Sequence, residues 1–141
     1  MKARLPLLML ASCGLVTANV FADEPAAGQA LYKKHCLACH QADGGGVPNM
    51  QPAIVGGTWV KGDARAMALF VMTGGFDSAA RKDSANGNVM PPFRQLADED
   101  LAAILTYVRQ KFGDGSSPVS AADIAAARES DPETKKPESA N

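Results

Sequence analysis

The chain has 141 residues, 21 % of them charged and 46 % apolar, with a formal net charge of −1. That length allows one modest domain and excludes two full cores. The composition is that of a globular protein rather than a disordered chain or a membrane bundle, and the charge leaves no basic surface for nucleic acid. Aromatic residues make up only 6 %, thin for a core that must close on its own.

Residues 1–22 read as an address. Lys2 and Arg4 precede an apolar stretch from Leu5 to Val20, and Val20-Phe21-Ala22 puts small residues at the two positions a signal peptidase reads. The stretch is shorter than a ~20-residue membrane span and is broken by Pro6, Gly14 and Asn19. Cleavage after Ala22 removes Lys2, Arg4 and Cys13, so the mature chain is more acidic and keeps two cysteines. It would then leave no membrane anchor. Two rival readings are an uncleaved anchor and a lipoprotein signal, Leu10-Ala11-Ser12-Cys13, with Cys13 acylated. Against the second, Cys13 comes early and the apolar stretch runs on to Val20 and Phe21.

Residues 25–36 form a first short helix, with Ala27, Ala30, Leu31 and Tyr32 available to a core and Gly28 open to close approach one turn before Tyr32. From 42 to 57 the glycine and proline content predicts a loop. Residues 63–73 read as a helix capped by Asp63, with Met67, Phe70 and Val71 on one face and Gly74 at the left-handed exit. A polar loop covers 74–89. Met90-Pro91-Pro92-Phe93 must then be extended, because each proline disfavours helix in the residue before it.

The clearest helix runs from about Asp98 to Lys111. Leu101, Ile104, Leu105 and Val108 make one apolar face, Asp98, Glu99 and Asp100 start it, and Arg109 and Lys111 end it as the helix dipole favours. Ser120 and Asp123 predict a capping box for a last short helix over 119–129, and 130–141 reads as a disordered tail. No alternating strand run and no repeat occurs, so the class is all-α, short helices joined by long loops. Such loops count against independent folding unless something fills the centre.

His35-Cys36-Leu37-Ala38-Cys39-His40 contains Cys-x-x-Cys-His, the attachment sequence of c-type haem. Two cysteines three apart on a helical turn reach both vinyl groups of a flat macrocycle, and the next histidine projects beneath it toward the iron. Secretion agrees, since this attachment is made outside the cytoplasmic membrane in bacteria. Three other readings compete. A thioredoxin-like pair needs a strand–helix–strand setting that is missing. A zinc site needs four ligands, with only His35 nearby. A disulfide across two residues is strained. His35 itself reads as a surface or haem-edge residue.

Here the chain resembles the class I cytochrome c family, from about Gly28 to Lys111. The resemblance rests on Gly28-x-x-x-Tyr32, Cys36-x-x-Cys39-His40, Pro52-x-Ile54, Met90-Pro91 and Ile104-x-x-Tyr107, in that order. Met90-Pro91-Pro92-Phe93, the helix Leu101 to Arg109 and the Val119 to Arg128 extension are similar to small cytochromes and cytochrome domains that work beside periplasmic dehydrogenases. The resemblance implies a cytochrome c domain over 23–118 with one covalent haem c, and first and last long helices crossing near Gly28, Gly28 and Tyr32 packing across Ile104 and Tyr107. It departs at Ala97, where similar sequences often carry Ser or Thr; Asp98 is then the candidate cap.

The resemblance also implies Met90 as the second axial ligand beside His40. Of the other methionines, Met67 and Met72 lie in a helix, where a thioether usually packs, and Met50 sits in the loop after the haem motif. The Pro52 carbonyl would accept a hydrogen bond from the outer nitrogen of His40, with Pro48 as runner-up. Trp59 either packs in the core or donates its ring N–H to a haem propionate. Arg65 is a weaker candidate for a propionate, because it reads as part of a solvated helix face.

His plus Met ligation fills the iron and favours electron transfer over catalysis. The function implied is a periplasmic one-electron carrier, not an enzyme, between a periplasmic dehydrogenase and a terminal oxidase or another cytochrome. The alternative is an open-site haem protein, a peroxidase or gas sensor, if Met90 is not bound. A structural subunit whose haem serves only folding is the third. For the secreted protein, mass spectrometry should find Asp23 at the N-terminus; a diacylglycerol on Cys13 would overturn the cleavage and tether the protein to a membrane.

Overall fold

A computed structural model describes residues 24–75 and 89–134. They form six helices: α1 (Glu24–His35), α2 (Leu37–His40), α3 (Thr58–Lys61), α4 (Ala64–Met72), α5 (Asp98–Phe112) and α6 (Ala121–Ser130). Among the described residues, β pairing is limited to one isolated bridge between Val47 and Gln51. The all-α class is what the sequence predicts. The expected leader and most of the 74–89 loop lie outside the described residues.

The α1–α5 crossing organises the fold. A Cβ on Gly28 would collide with the Ala103 carbonyl oxygen and sit 3.0 Å from the Tyr107 Cβ, so only glycine lets the two backbones come this close. One turn on, Tyr32 is 1 % exposed, its ring 5.3 Å from Tyr107 and 5.6 Å from Phe112. The face of α1 is narrower than the sequence predicts. Ala27 and Ala30 are exposed, because the helix meets α5 through Gly28 and Tyr32, with Leu31 half-buried against the core.

Helix α4 begins as expected, the Asp63 carboxylate accepting from the Ala66 N–H at 2.9 Å, and ends in Gly74 at φ +69. Helix α5 has no side-chain cap: its first turn starts from Ala97, and Asp98 turns away to pair with Arg128. Its buried surface is also broader than one stripe, taking in Ala102, Thr106, Arg109 and Phe112. The reason is α6, which packs on both α4 and α5 and covers a second side. Thr106 sews the connector to α5, its hydroxyl donating to the Val119 carbonyl at 3.1 Å and accepting from the Val119 N–H at 2.9 Å. Arg109, read as a helix-end charge, is buried and donates to the carbonyls of Gly62 and Ser117 at 2.8 and 2.7 Å.

The predicted capping box of α6 is present, Ser120 and Asp123 exchanging hydrogen bonds. Residues 135–141 of the expected tail lie outside the described residues. Ser130 ends α6, and Asp131 is 2 % exposed and held by Arg94 through two hydrogen bonds of 2.5 and 3.1 Å. An aspartate followed by proline reads as tail in sequence; here it is a buried anion with a dedicated cation.

Arg94 holds the Asp131 carboxyl below its ordinary pKa, burial opposing and the Glu133 N–H and Arg128 charge adding to the effect. A carboxyl whose folded pKa is depressed stabilises the fold above its unfolded pKa, and the benefit is lost as pH falls through the folded value. Asp131→Asn should therefore cost about 1–3 kcal/mol near neutral pH, discounted because Arg94 is partly solvated. The difference from wild type should shrink as pH falls below ~4, the ordinary carboxylate range, when unfolding is followed by denaturant titration.

Candidate functional site

Helix α1 delivers the Cys-x-x-Cys-His segment into a tight turn. The Cys36 N–H closes onto the Tyr32 carbonyl at 2.8 Å, and the Cys39 and His40 N–H groups both return to the Cys36 carbonyl, at 3.2 and 2.9 Å. The turn ends at Gln41, which takes φ +61. The buried Tyr32 hydroxyl donates to the Gln41 carbonyl at 2.6 Å, locking the end of the motif to the α1–α5 crossing. Tyr32 thus fixes where Cys36, Cys39 and His40 stand, a role the sequence reading did not give it. Burial pushes the Tyr32 phenol well above its ordinary pKa, so it stays a donor.

Beside this turn lies a cavity of about 440 Å³. Folded interiors normally leave few voids larger than a water molecule, and a cavity of this size with apolar walls is of ligand dimensions. Its wall draws on nearly the whole chain: Cys36, Cys39 and His40 from the motif, Pro52 and Ile54 from the following loop, and Trp59 and Val60 from α3. Met67, Phe70 and Val71 come from α4, Met90, Pro91 and Phe93 from the proline segment, and Ile104, Leu105 and Val108 from α5. All six residues singled out from sequence, Cys36, Cys39, His40, Met90, Pro52 and Trp59, stand on this one wall. His35 does too, edge-on to Phe93 at 6.4 Å between ring centres.

The chemistry of the donors is specific. Burial lowers the His40 pKa, which keeps the imidazole neutral with a lone pair to give. The Cys36 thiol is pushed up to about 11, first by burial and then by Cys39 beside it. A dithiol redox pair needs the opposite shift, toward thiolate. The two thiols are not joined to each other, and among the described residues no cluster of three or more His, Cys, Asp or Glu could hold a metal ion.

One expectation meets a different arrangement. The His40 Nδ1 is buried and makes no hydrogen bond. The Pro52 carbonyl oxygen lies instead against Gly46, where an added Cβ would be 2.7 Å from it. An orphaned buried ring nitrogen costs roughly 1–3 kcal/mol. Trp59 is neither core nor free surface: it is 39 % exposed and stacks on Phe70 with ring centres 4.2 Å apart. Arg65 is away from the cavity wall, paired with Asp123 of α6 at 3.2 Å. Of the other methionines, Met67 reaches the wall from α4, Met72 is wholly buried elsewhere and Met50 is exposed.

A half-buried imidazole that follows two thiols on one turn, facing a broad apolar cavity, is a set of groups that could hold a covalent haem. The comparisons with known proteins agree. The cytochrome c family model matches residues 25–111, and the chain belongs to that family. The family carries a covalently attached haem c with its iron, and its members are electron carriers, although some relatives are subunits of dehydrogenase complexes.

The chain is 31 % identical over 91 residues to cytochrome c-552 of Thermus thermophilus, covering 62 % of this chain and 69 % of that protein. It is 32 % identical over 101 residues to the cytochrome c subunit of a quinone alcohol dehydrogenase of Gluconobacter oxydans, covering 70 % of this chain and 21 % of the subunit. The cytochrome c subunit of gluconate 2-dehydrogenase from Pantoea cypripedii is 28 % identical over 113 residues, 75 % of this chain and 25 % of that subunit. The chain therefore spans only about a fifth to a quarter of the dehydrogenase subunits it matches.

Proposed function

We propose that the protein is a periplasmic one-electron carrier, its haem joined to Cys36 and Cys39 and its iron held by His40 and Met90. Haem iron bound in this way gains and loses a single electron with no ligand exchange. The observation that carries the reading is Met90: it reaches the cavity wall that holds His40, and it does so from non-helical backbone stiffened by Pro91 and Pro92. Met67 also reaches the wall, but from a helix and at 3 % exposure, packed as part of the core.

The remaining wall residues shape the exchange. Apolar side chains from α4 and α5 exclude water, and the neutral His40 offers its lone pair without first losing a proton. The Trp59 ring N–H would donate to a haem carboxylate. Trp59 and Val89 are exposed at the cavity, 39 % and 51 %, which supports docking through a small apolar patch with limited electrostatic steering. The carrier domain would run from 23 to 118 after removal of residues 1–22. The names of the dehydrogenase-subunit relatives support a dehydrogenase as donor; the acceptor in this reading is a terminal oxidase or another cytochrome.

With Met90 bound, the iron should be low-spin in both oxidation states, and the reduced protein should take up carbon monoxide poorly. Met90→Ala should drop the reduction potential and admit carbon monoxide, because a soft sulfur donor that favours reduced iron is gone. Met67→Leu and Met72→Leu should leave spectrum and potential in place and cost at most ~1.5 kcal/mol. Ready carbon monoxide binding by the wild type, or an unchanged spectrum in Met90→Ala, would replace the carrier with the open-site reading.

A further inference from the structure

The segment that carries Met90 has no helix of its own, yet it is held from both sides. On one side Gly74 backs onto it: a Cβ there would be 2.6 Å from the Met90 carbonyl oxygen and 3.1 Å from the Pro92 nitrogen. The Phe93 N–H donates to the Met72 carbonyl at 3.0 Å, and the Phe93 ring is buried.

On the other side stands the C-terminal segment. Arg128 of α6 donates to the Arg94 carbonyl at 2.7 Å, to the Leu96 carbonyl at 2.5 Å and to the Asp98 carboxylate at 2.6 Å. Arg94 in turn grips the buried Asp131 with two bonds and reaches Glu133 at 3.0 Å. Charge-assisted, bidentate bonds of this kind fix geometry as well as add energy. Between Met90 and Arg94 lie Pro91, Pro92 and Phe93. Two of these three have φ locked by their rings, so a restraint at Arg94 is passed to Met90 with little slack.

We propose that Arg128 and the Arg94–Asp131 pair are positioning residues for Met90. Helix α6 and residues 131–134, beyond the 25–111 stretch that matches the family, form a clasp that presses the Met90 segment to the cavity. The clasp sets how often the sulfur leaves the iron. The inference rests on Met90 as axial ligand.

Added imidazole enters such a site only when the sulfur has left, so its binding rate to the ferric holoprotein counts openings. The sulfur-to-iron charge-transfer band reports the same bond. Arg128→Met removes three charge-assisted hydrogen bonds and should speed imidazole binding by at least about tenfold, the factor expected for losing one of them, and Asp131→Asn should speed it in the same direction. In both variants the band should disappear at a denaturant concentration where helix circular dichroism is still intact. Arg65→Met, which cuts the exposed tie of α6 to α4 at Asp123, should change the rate by less than about twofold.

Wild-type imidazole rates in both Arg128→Met and Asp131→Asn, with band and helix lost together, would overturn the clasp and leave those residues a purely structural role. A wild-type protein without the band would instead overturn Met90 ligation, and the clasp with it.

Discussion

Everything in this structure is arranged around a centre that the polypeptide does not fill. Helices α3, α4 and α5, the motif turn, the 42–57 loop and the proline segment each turn apolar side chains toward one cavity of about 440 Å³. With 6 % aromatic residues and helices as short as four residues, the chain has little apolar mass of its own to close that space. The covalent haem of the family would therefore serve as both redox group and core. That dual use explains why loops as long as 42–57 are tolerated in so small a domain.

The scaffold that holds the cavity open is built from a few close contacts. Gly28 permits the α1–α5 crossing, and Tyr32 uses it to pin the end of the Cys36–His40 turn. Gly74 and Phe93 seat the Met90 segment against α4, while α6 closes the far side through Arg128, Arg94 and Asp131. The two proposed axial residues thus belong to separate subassemblies, one governed by α1 and one by α6, which share α5 as a common support and face each other across the cavity. Stability at the His40 end and ligand retention at the Met90 end are separable properties in such a design.

The motif and most helices were legible in the sequence because their signals are local. Cys-x-x-Cys-His needs no tertiary context, Asp63 and the Ser120–Asp123 box announce helix starts, and the apolar spacing of Leu101 to Val108 marks α5. What was not legible depends on partners distant in the chain. Arg109 and Asp131 look like solvent residues until the carbonyls of Gly62 and Ser117, and the guanidinium of Arg94, are brought to them. Ala97 and Asp98 misled because Arg128, thirty residues on, claims the carboxylate that would have capped α5. The orphaned His40 nitrogen likewise follows from how Gly46 meets Pro52, which spacing cannot reveal.

The central claim, that the cofactor is the core, is tested most directly by a protein that cannot acquire it. Cys36→Ala combined with Cys39→Ala, prepared without haem, should show reduced helix content by circular dichroism. Its urea transition should be shallow, with a slope well below that of the haem-loaded wild type, as expected when less buried surface is released on unfolding. Full helix content and an equally steep, cooperative transition in the haem-free variant would contradict the account.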